Sequence, residues 1–328
     1  MKRNLFIFSS GELKREENTL CFISNGHKKF IPASNVSSIY IFGELSFNKR
    51  LLEFLSINEI ALHFFNYYGY YMGSFYPRTH YNSGYMAIKQ CEHYIDVAKR
   101  LILARKFVEG ALLNMFKNLT YYKNRGVELT SYIDSIKENL KEVEKTKSIE
   151  ELMAVEGRAK ETYYLSFNII LKNDEFKYER RERRPPRSPL DALISFGNSL
   201  LYVTVLGEIY KTHLDPRIGF LHASNFRKFS LNLDVAEIFK PVIVDRLIFT
   251  LVNKGMIDAS SFDKELGGIY LCENGRRTFI EKYDEKLNQT ISLQRRKVSY
   301  QRLIRLELYK LERHLIGEKE YTPFVSQW

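Results

Sequence analysis

The sequence predicts an α+β protein: a small N-terminal β-rich domain over residues 1–75, a linker over 76–84 and a larger all-α domain over 85–328. Short apolar runs punctuated by turn-formers fill the first stretch, and from about Tyr85 the apolar spacing changes to the three-and-four pattern of helices. A chain of 328 residues also suffices to bury two cores.

In the first domain the predicted strands are Leu5–Phe8, Thr19–Ile23, Lys29–Ile31, Ser38–Phe42 and Ala61–Phe65. Turns fall at Ser10-Gly11-Glu12 and Ser24-Asn25-Gly26, and one helix covers Asn48–Asn58. Pro77, Asn82 and Ser83 mark the linker. Beyond it, Ile95, Ala98, Ile102, Arg105 and Glu109 begin a series of amphipathic helices. The last has a stripe of Ile304, Leu308, Leu311 and Leu315, with Arg295, Arg302 and Arg313 on the opposite face.

The balance of 50 Lys+Arg against 39 Asp+Glu leaves a net charge of +11, which favours a polyanionic partner, nucleic acid first. An aromatic content of 14% excludes a disordered basic protein and leaves rings for stacking on bases. Cys21, Cys91 and Cys272 are far apart and odd in number, so they indicate neither a disulfide framework nor a zinc cluster and fit a reducing compartment. Asn4–Ser9 is too short for a signal sequence, and the nearest approach to a membrane span, Pro241–Leu251, is broken by Asp245 and Arg246. The expectation is a cytoplasmic protein with no membrane contact.

Acidic side chains fall where the helical pattern calls for apolar ones. Projected at about 100° per residue, Leu152, Ala159, Tyr163, Phe167 and Ile170 share one face, and Glu156 lies only about 40° from Leu152. Asp234 and Glu237 likewise share a face with Ile238, Val242, Phe249 and Val252, and as i,i+3 neighbours they present two carboxylates to one region. His222 precedes them. Each has an ordinary alternative: Asp234 as an acid near the start of a helix capped by Ser230, Glu237 paired with a buried arginine, Glu156 satisfied by Arg158 or a neighbouring basic residue, and His222 as a hydrogen-bonded core residue. Together they read as a metal site, because buried carboxylates need compensating charge.

Lys177–Pro189 carries six basic side chains against two acids, and its three prolines stop a helix in its second half. It is expected to be an exposed loop, either a solvated connection or a phosphate-gripping segment.

The blocks Leu152–Tyr164, Arg183–Asn198 and Leu214–His222 running into Phe229–Pro241 resemble the CRISPR-associated spacer integrases, the Cas1 family. The resemblance implies that Glu156, His222 and Glu237 hold a divalent metal, with Asp234 as an accessory catalytic acid. It departs from the family pattern at Ser188, where the Pro-Pro-x-Asp-Pro version has aspartate, and at Asp191, where asparagine is usual. It further implies a catalytic helical domain that integrates short DNA fragments into a CRISPR array in antiviral defence. Nuclease activity on branched DNA, a homodimer built around the β-rich domain and a small partner protein, Cas2, are implied as well.

A set of two carboxylates and one imidazole suits Mg²⁺ or Mn²⁺, and a cation so held offsets the charge that gathers on a phosphodiester under attack by a 3′-hydroxyl. Arg181, Arg184, Arg187, Arg217 and Lys228 are the candidate guides for the DNA backbone. The rival readings are a non-catalytic DNA-binding scaffold and a structure-specific repair nuclease acting on branched DNA.

Overall fold

A computed structural model describes residues 2–327 except 78–80, 82, 183–184, 223–228, 266 and 294–295. The chain forms two compact units, Met1–Tyr81 and Asn82–Trp328.

The first unit contains β1 (Arg3–Ile7), β2 (Gly11–Glu16), β3 (Thr19–Ser24), β4 (His27–Pro32), β5 (Val36–Ile41), β6 (Leu45–Phe47), α1 (Lys49–Ile57), β7 (Ala61–Phe65) and β8 (Tyr71–Phe75). One sheet has the order β1-β5-β7-β8 and the other β4-β3-β2-β6. The core gathers Ile7, Leu13, Leu20, Ile39, Leu51, Leu55 and Leu62. The turn expected at Ser10-Gly11-Glu12 is instead the start of β2, whose run of charged residues hides a strand with Leu13 as its inward residue. Gly11 is required there, because a Cβ would stand 2.2 Å from the Ile23 carbonyl oxygen.

The second unit contains α2 (Gly84–Ile95), α3 (Val97–Lys123), α4 (Thr130–Val143), α5 (Ile149–Leu165), α6 (Phe167–Ile170), α7 (Pro189–Ile209), α8 (Leu231–Phe239) and α9 (Arg246–Asn253). After these come β9 (Phe262–Glu265), β10 (Gly268–Leu271), α10 (Glu273–Asn288), β11 (Thr290–Leu293), β12 (Arg296–Ser299) and α11 (Tyr300–Leu315). This unit is therefore mostly helical rather than all-α: β9/β10 and β11/β12 are antiparallel ribbons, too short and too polar to register as strands in the pattern. Arg295, placed in sequence on the last helix, lies outside the described residues, and that helix begins at Tyr300.

The central α3 packs against α4, α5 and α8. Helix α7 is long and apolar enough to cross a membrane by length and composition, but 83% of its apolar window is buried inside the protein, as befits a core helix. Ser188 caps it by accepting from the Asp191 amide at 3.1 Å, so serine performs locally the capping that an aspartate would perform there.

Between α8 and α9 the chain does not continue as a straight helix. Residues Lys240–Asp245 form a π-helical segment. Pro241 has no N–H to return to the preceding turn, and side chains of α3 brace the segment by donating to nearby carbonyls. Asn114 Nδ2 donates to the Ile238 carbonyl at 3.0 Å, and Asn118 Nδ2 donates to the Pro241 carbonyl at 2.7 Å. A projection at 3.6 residues per turn therefore does not apply across Lys240–Asp245, while Val242, Phe249 and Val252 are buried as expected.

Candidate active site

Three elements supply the expected side chains. Helix α5 starts at a Ser148 cap, with Ser148 Oγ accepting from the Glu151 amide at 3.2 Å, and packs Leu152, Val155, Ala159 and Tyr163 inward. Glu156 lies in that stripe and is only 6% exposed. Helix α8 buries both Asp234 and Glu237. His222 ends the turn that precedes residues 223–228.

Asp234 organises this turn. Its Oδ2 accepts from the amides of Phe220 and Leu221 at 2.5 and 3.0 Å, and its Oδ1 accepts from the amide of His222 at 2.9 Å. The same Oδ1 lies 2.8 Å from His222 Nδ1. A carboxylate can only accept, so Nδ1 carries a proton and, in the neutral ring, Nε2 keeps its lone pair. Gly219 permits the close approach, since a Cβ there would lie 2.8 Å from Asp234 Oδ2. Ser230 does not cap α8 with its side chain; its Oγ accepts from the Gly219 amide at 2.8 Å and donates to the Arg217 carbonyl at 2.7 Å. Both oxygens of Asp234 are thus engaged in holding the turn and the imidazole.

Glu156 and Glu237 meet at a lysine. Lys160 Nζ stands 2.7 Å from Glu156 Oε1 and 2.8 Å from Glu237 Oε2, while Lys240 Nζ lies 2.6 Å from Glu237 Oε1. Glu237 Oε2 is buried and, among the described residues, is met by the ion pair to Lys160. The ordinary pairing of Glu156 with a neighbouring basic residue holds through Lys160 rather than Arg158, which pairs with the exposed Glu142, and Glu237 is met by lysines rather than an arginine. Burial pushes the Glu237 carboxyl up, but the charges of Lys160, Lys240 and His222 outweigh it and hold the group well below the usual carboxylate range. Burial pulls His222 down, yet the hydrogen bond to Asp234 and the charges of Asp234, Glu237 and Glu156 raise it above its ordinary value. The imidazole therefore feels both acids of the lysine bridge. Among the described residues, no three His, Cys, Asp or Glu side chains already stand in ligand geometry about one point.

Sequence reasoning missed Lys160 and Lys240, although Lys160 at i+4 from Glu156 and Lys240 at i+3 from Glu237 carry the spacing of helical ion pairs. It also missed Asp245. Burial drives that carboxyl up to about 7, against the hydrogen bond from Tyr163 and the charges of Lys240 and Lys160. Asp245 Oδ1 has no hydrogen-bond partner among the described residues.

The basic candidates divide. Arg181 is turned inward: it pairs with Asp191 at 2.6 Å and donates to Ser195 Oγ at 2.8 Å, and it is removed from the DNA-guiding set because a buried carboxylate consumes its charge. The loop expected to be exposed is anchored there and at the buried Tyr178, and the Pro186 carbonyl accepts from Ile269 on β10 at 2.8 Å. Arg187 and Arg217 are exposed, near Glu182 and Asp215 respectively. Arg184 and Lys228 lie outside the described residues.

The family model for CRISPR associated protein Cas1 matches residues 5–285. A CRISPR-associated endonuclease Cas1 of Thermodesulfovibrio yellowstonii is 56% identical over 330 residues, covering 100% of both chains. A solved CAS1 protein from Thermotoga maritima is 46% identical with a TM-score of 0.87 over 98% of this chain and 99% of that one. A casposase bound to integration product shares 21% identity and a TM-score of 0.87 over 99% and 93% of the two chains, a likeness of fold.

Proposed function

Since the chain belongs to the Cas1 family of CRISPR-associated proteins and is an enzyme of its endonuclease class, we propose that it is a metal-dependent strand transferase of CRISPR adaptation. It inserts short DNA fragments into a CRISPR array by attack of a 3′-hydroxyl on a phosphodiester. The observation that carries this reading is the approach of Glu156 and Glu237, from two different helices, to a single cation at 2.7 and 2.8 Å.

The residues fit a divalent ion. Glu237 Oε2 is a buried oxygen paired with Lys160, Glu156 faces the same point, and His222 in its neutral form offers a lone pair on Nε2 within electrostatic reach of both. Glu156, Glu237 and His222 would hold Mg²⁺ or Mn²⁺. When bound, the ion supplies Lewis acidity that offsets charge on the phosphodiester oxygens and lowers the pKa of the attacking hydroxyl. Asp234 fixes the tautomer and direction of the imidazole. Lys240 neutralises the second oxygen of Glu237, and the surrounding packing excludes bulk water, which strengthens the electrostatic contacts.

The partners that suit this chemistry are a prespacer duplex, the leader-repeat junction and branched DNA, with Arg187 and Arg217 as backbone contacts and Arg184 and Lys228 as further candidates. A homodimer through the β-rich unit is supported by the exposed apolar side chains Phe30, Phe47, Ile57, Tyr67 and Met72. Cas2 as a bridging protein and a cytoplasmic location complete the reading.

The test supplies a supercoiled plasmid bearing a repeat array and a short duplex with free 3′-hydroxyls in Mn²⁺. Joined products support strand transfer, cuts without joining support a repair nuclease, and salt-sensitive binding with no product supports a scaffold. Glu156→Ala, His222→Ala and Glu237→Ala should each abolish joining. Wild-type rates in all three remove the site assignment.

A further inference from the structure

Two buried carboxylates require a compensating cation whether or not a divalent ion is present. In the structure that cation is Lys160, one turn along α5 from Glu156, which touches both acids at 2.7 and 2.8 Å. Lys240 is committed to the other oxygen of Glu237 and does not reach between the acids in this way. An ammonium and a divalent ion cannot share this point, because like charges so close repel strongly in a poorly solvated pocket.

Given a divalent ion at this site, as proposed above, we infer that Lys160 is the resident counter-ion of the metal-free enzyme, and that the ion binds only by displacing its ammonium from Glu156 and Glu237. Lys160 thereby sets the cation concentration at which the site becomes competent.

Two features suit Lys160 to yield. Its side chain is 14% exposed, so the head can swing toward water on a four-methylene stem while the stem stays packed. Its contact to Glu237 Oε2 is an ion pair at 2.8 Å, which carries no strict directional requirement and lets the head move. The ammonium is held by two carboxylates at once, so the site opens by movement of the side chain away from both. The apparent affinity for the ion is its intrinsic affinity scaled by the fraction of molecules with the lysine swung out.

The experiment is a calorimetric Mn²⁺ titration of the full chain as wild type, Lys160→Met and Lys160→Arg, with melting of each protein in chelator and in Mn²⁺. The Met variant is expected to bind Mn²⁺ at least about tenfold more tightly than wild type. Without metal it should melt lower than wild type, and Mn²⁺ should restore it. The Arg variant is expected to bind several-fold more weakly, because a guanidinium fork grips both carboxylates. Wild-type or weaker affinity in the Met variant overturns the counter-ion role and leaves the metal reading standing. If the Met variant does not fold, the Arg variant decides, and equal or tighter binding there overturns the inference. Absence of Mn²⁺ binding in all three overturns the metal reading and this inference with it.

Discussion

His222 and Asp234 are joined twice: Asp234 Oδ1 lies 2.9 Å from the backbone nitrogen of His222 and 2.8 Å from its ring Nδ1. Four donors in all converge on this carboxylate, which an amide cannot match. Asp234→Asn should lower stability by about 3 kcal/mol by leaving buried N–H groups facing an NH₂. It should also weaken Mn²⁺ binding by roughly 10- to 100-fold through loss of ring orientation. Denaturant unfolding and calorimetry check the two effects, and a variant that keeps both values would show that Asp234 does not position the histidine.

The raised His222 value fixes the direction of a pH effect. Ligation requires a bare Nε2, so Mn²⁺ affinity should climb as pH rises through a value above 6.5, the ordinary figure for this ring. The stability that the metal-free protein gains from the Asp234 contact runs the other way: it is fully present below the unfolded value and lost as pH rises through the folded one. Titrations from about pH 6 to about pH 8.5 should show the affinity step in wild type. A profile flat across that range would contradict this assignment.

Asp245 makes a separate prediction. Its folded value of about 7 is raised from 3.8, so its contribution to stability is present below the unfolded value and declines as pH climbs through the folded one. Asp245→Asn removes that decline. Relative to wild type it should gain about 4 kcal/mol between roughly pH 4 and pH 8. Unfolding measured at both ends checks it; an equal gap between the two proteins at the two pH values would place Asp245 in water.

The arginines should separate by phenotype. Arg181→Ala strands the buried Asp191 and should cost about 3 kcal/mol of stability. Arg187→Ala and Arg217→Ala should leave melting nearly unchanged while each reduces the salt slope of DNA binding by about one. A large DNA-binding defect in a normally stable Arg181→Ala protein would reverse the division.

The burial of Glu156, Asp234 and Glu237 was legible in sequence because helical periodicity reports burial directly: an acid in phase with Leu152 and Ala159 has nowhere else to point. The identity of their partners was less legible. Lys160 and Lys240 fit the spacing of ordinary solvated pairs, and only the packing of α5 and α8 on α3 turns them into buried counter-ions. The π-helical segment at Lys240–Asp245 escaped for a different reason, since it depends on donors from Asn114 and Asn118, more than a hundred residues earlier. In the first unit, β2 escaped because its buried face holds a single strong apolar side chain, Leu13, among charged neighbours. Arg181 misled because arginine in a basic run looks the same whether it faces solvent or a distant aspartate.

The two acids and two ammonium groups around Glu237 sum to no net charge, and this limits how the chemistry can be transplanted. A designer who grafts Glu156, Glu237 and His222 alone onto another helical scaffold would bury two carboxylates with nothing opposite them, and the acids would take up protons rather than a metal. The portable unit is larger: it includes both lysines, and the Asp234 turn that aims the imidazole.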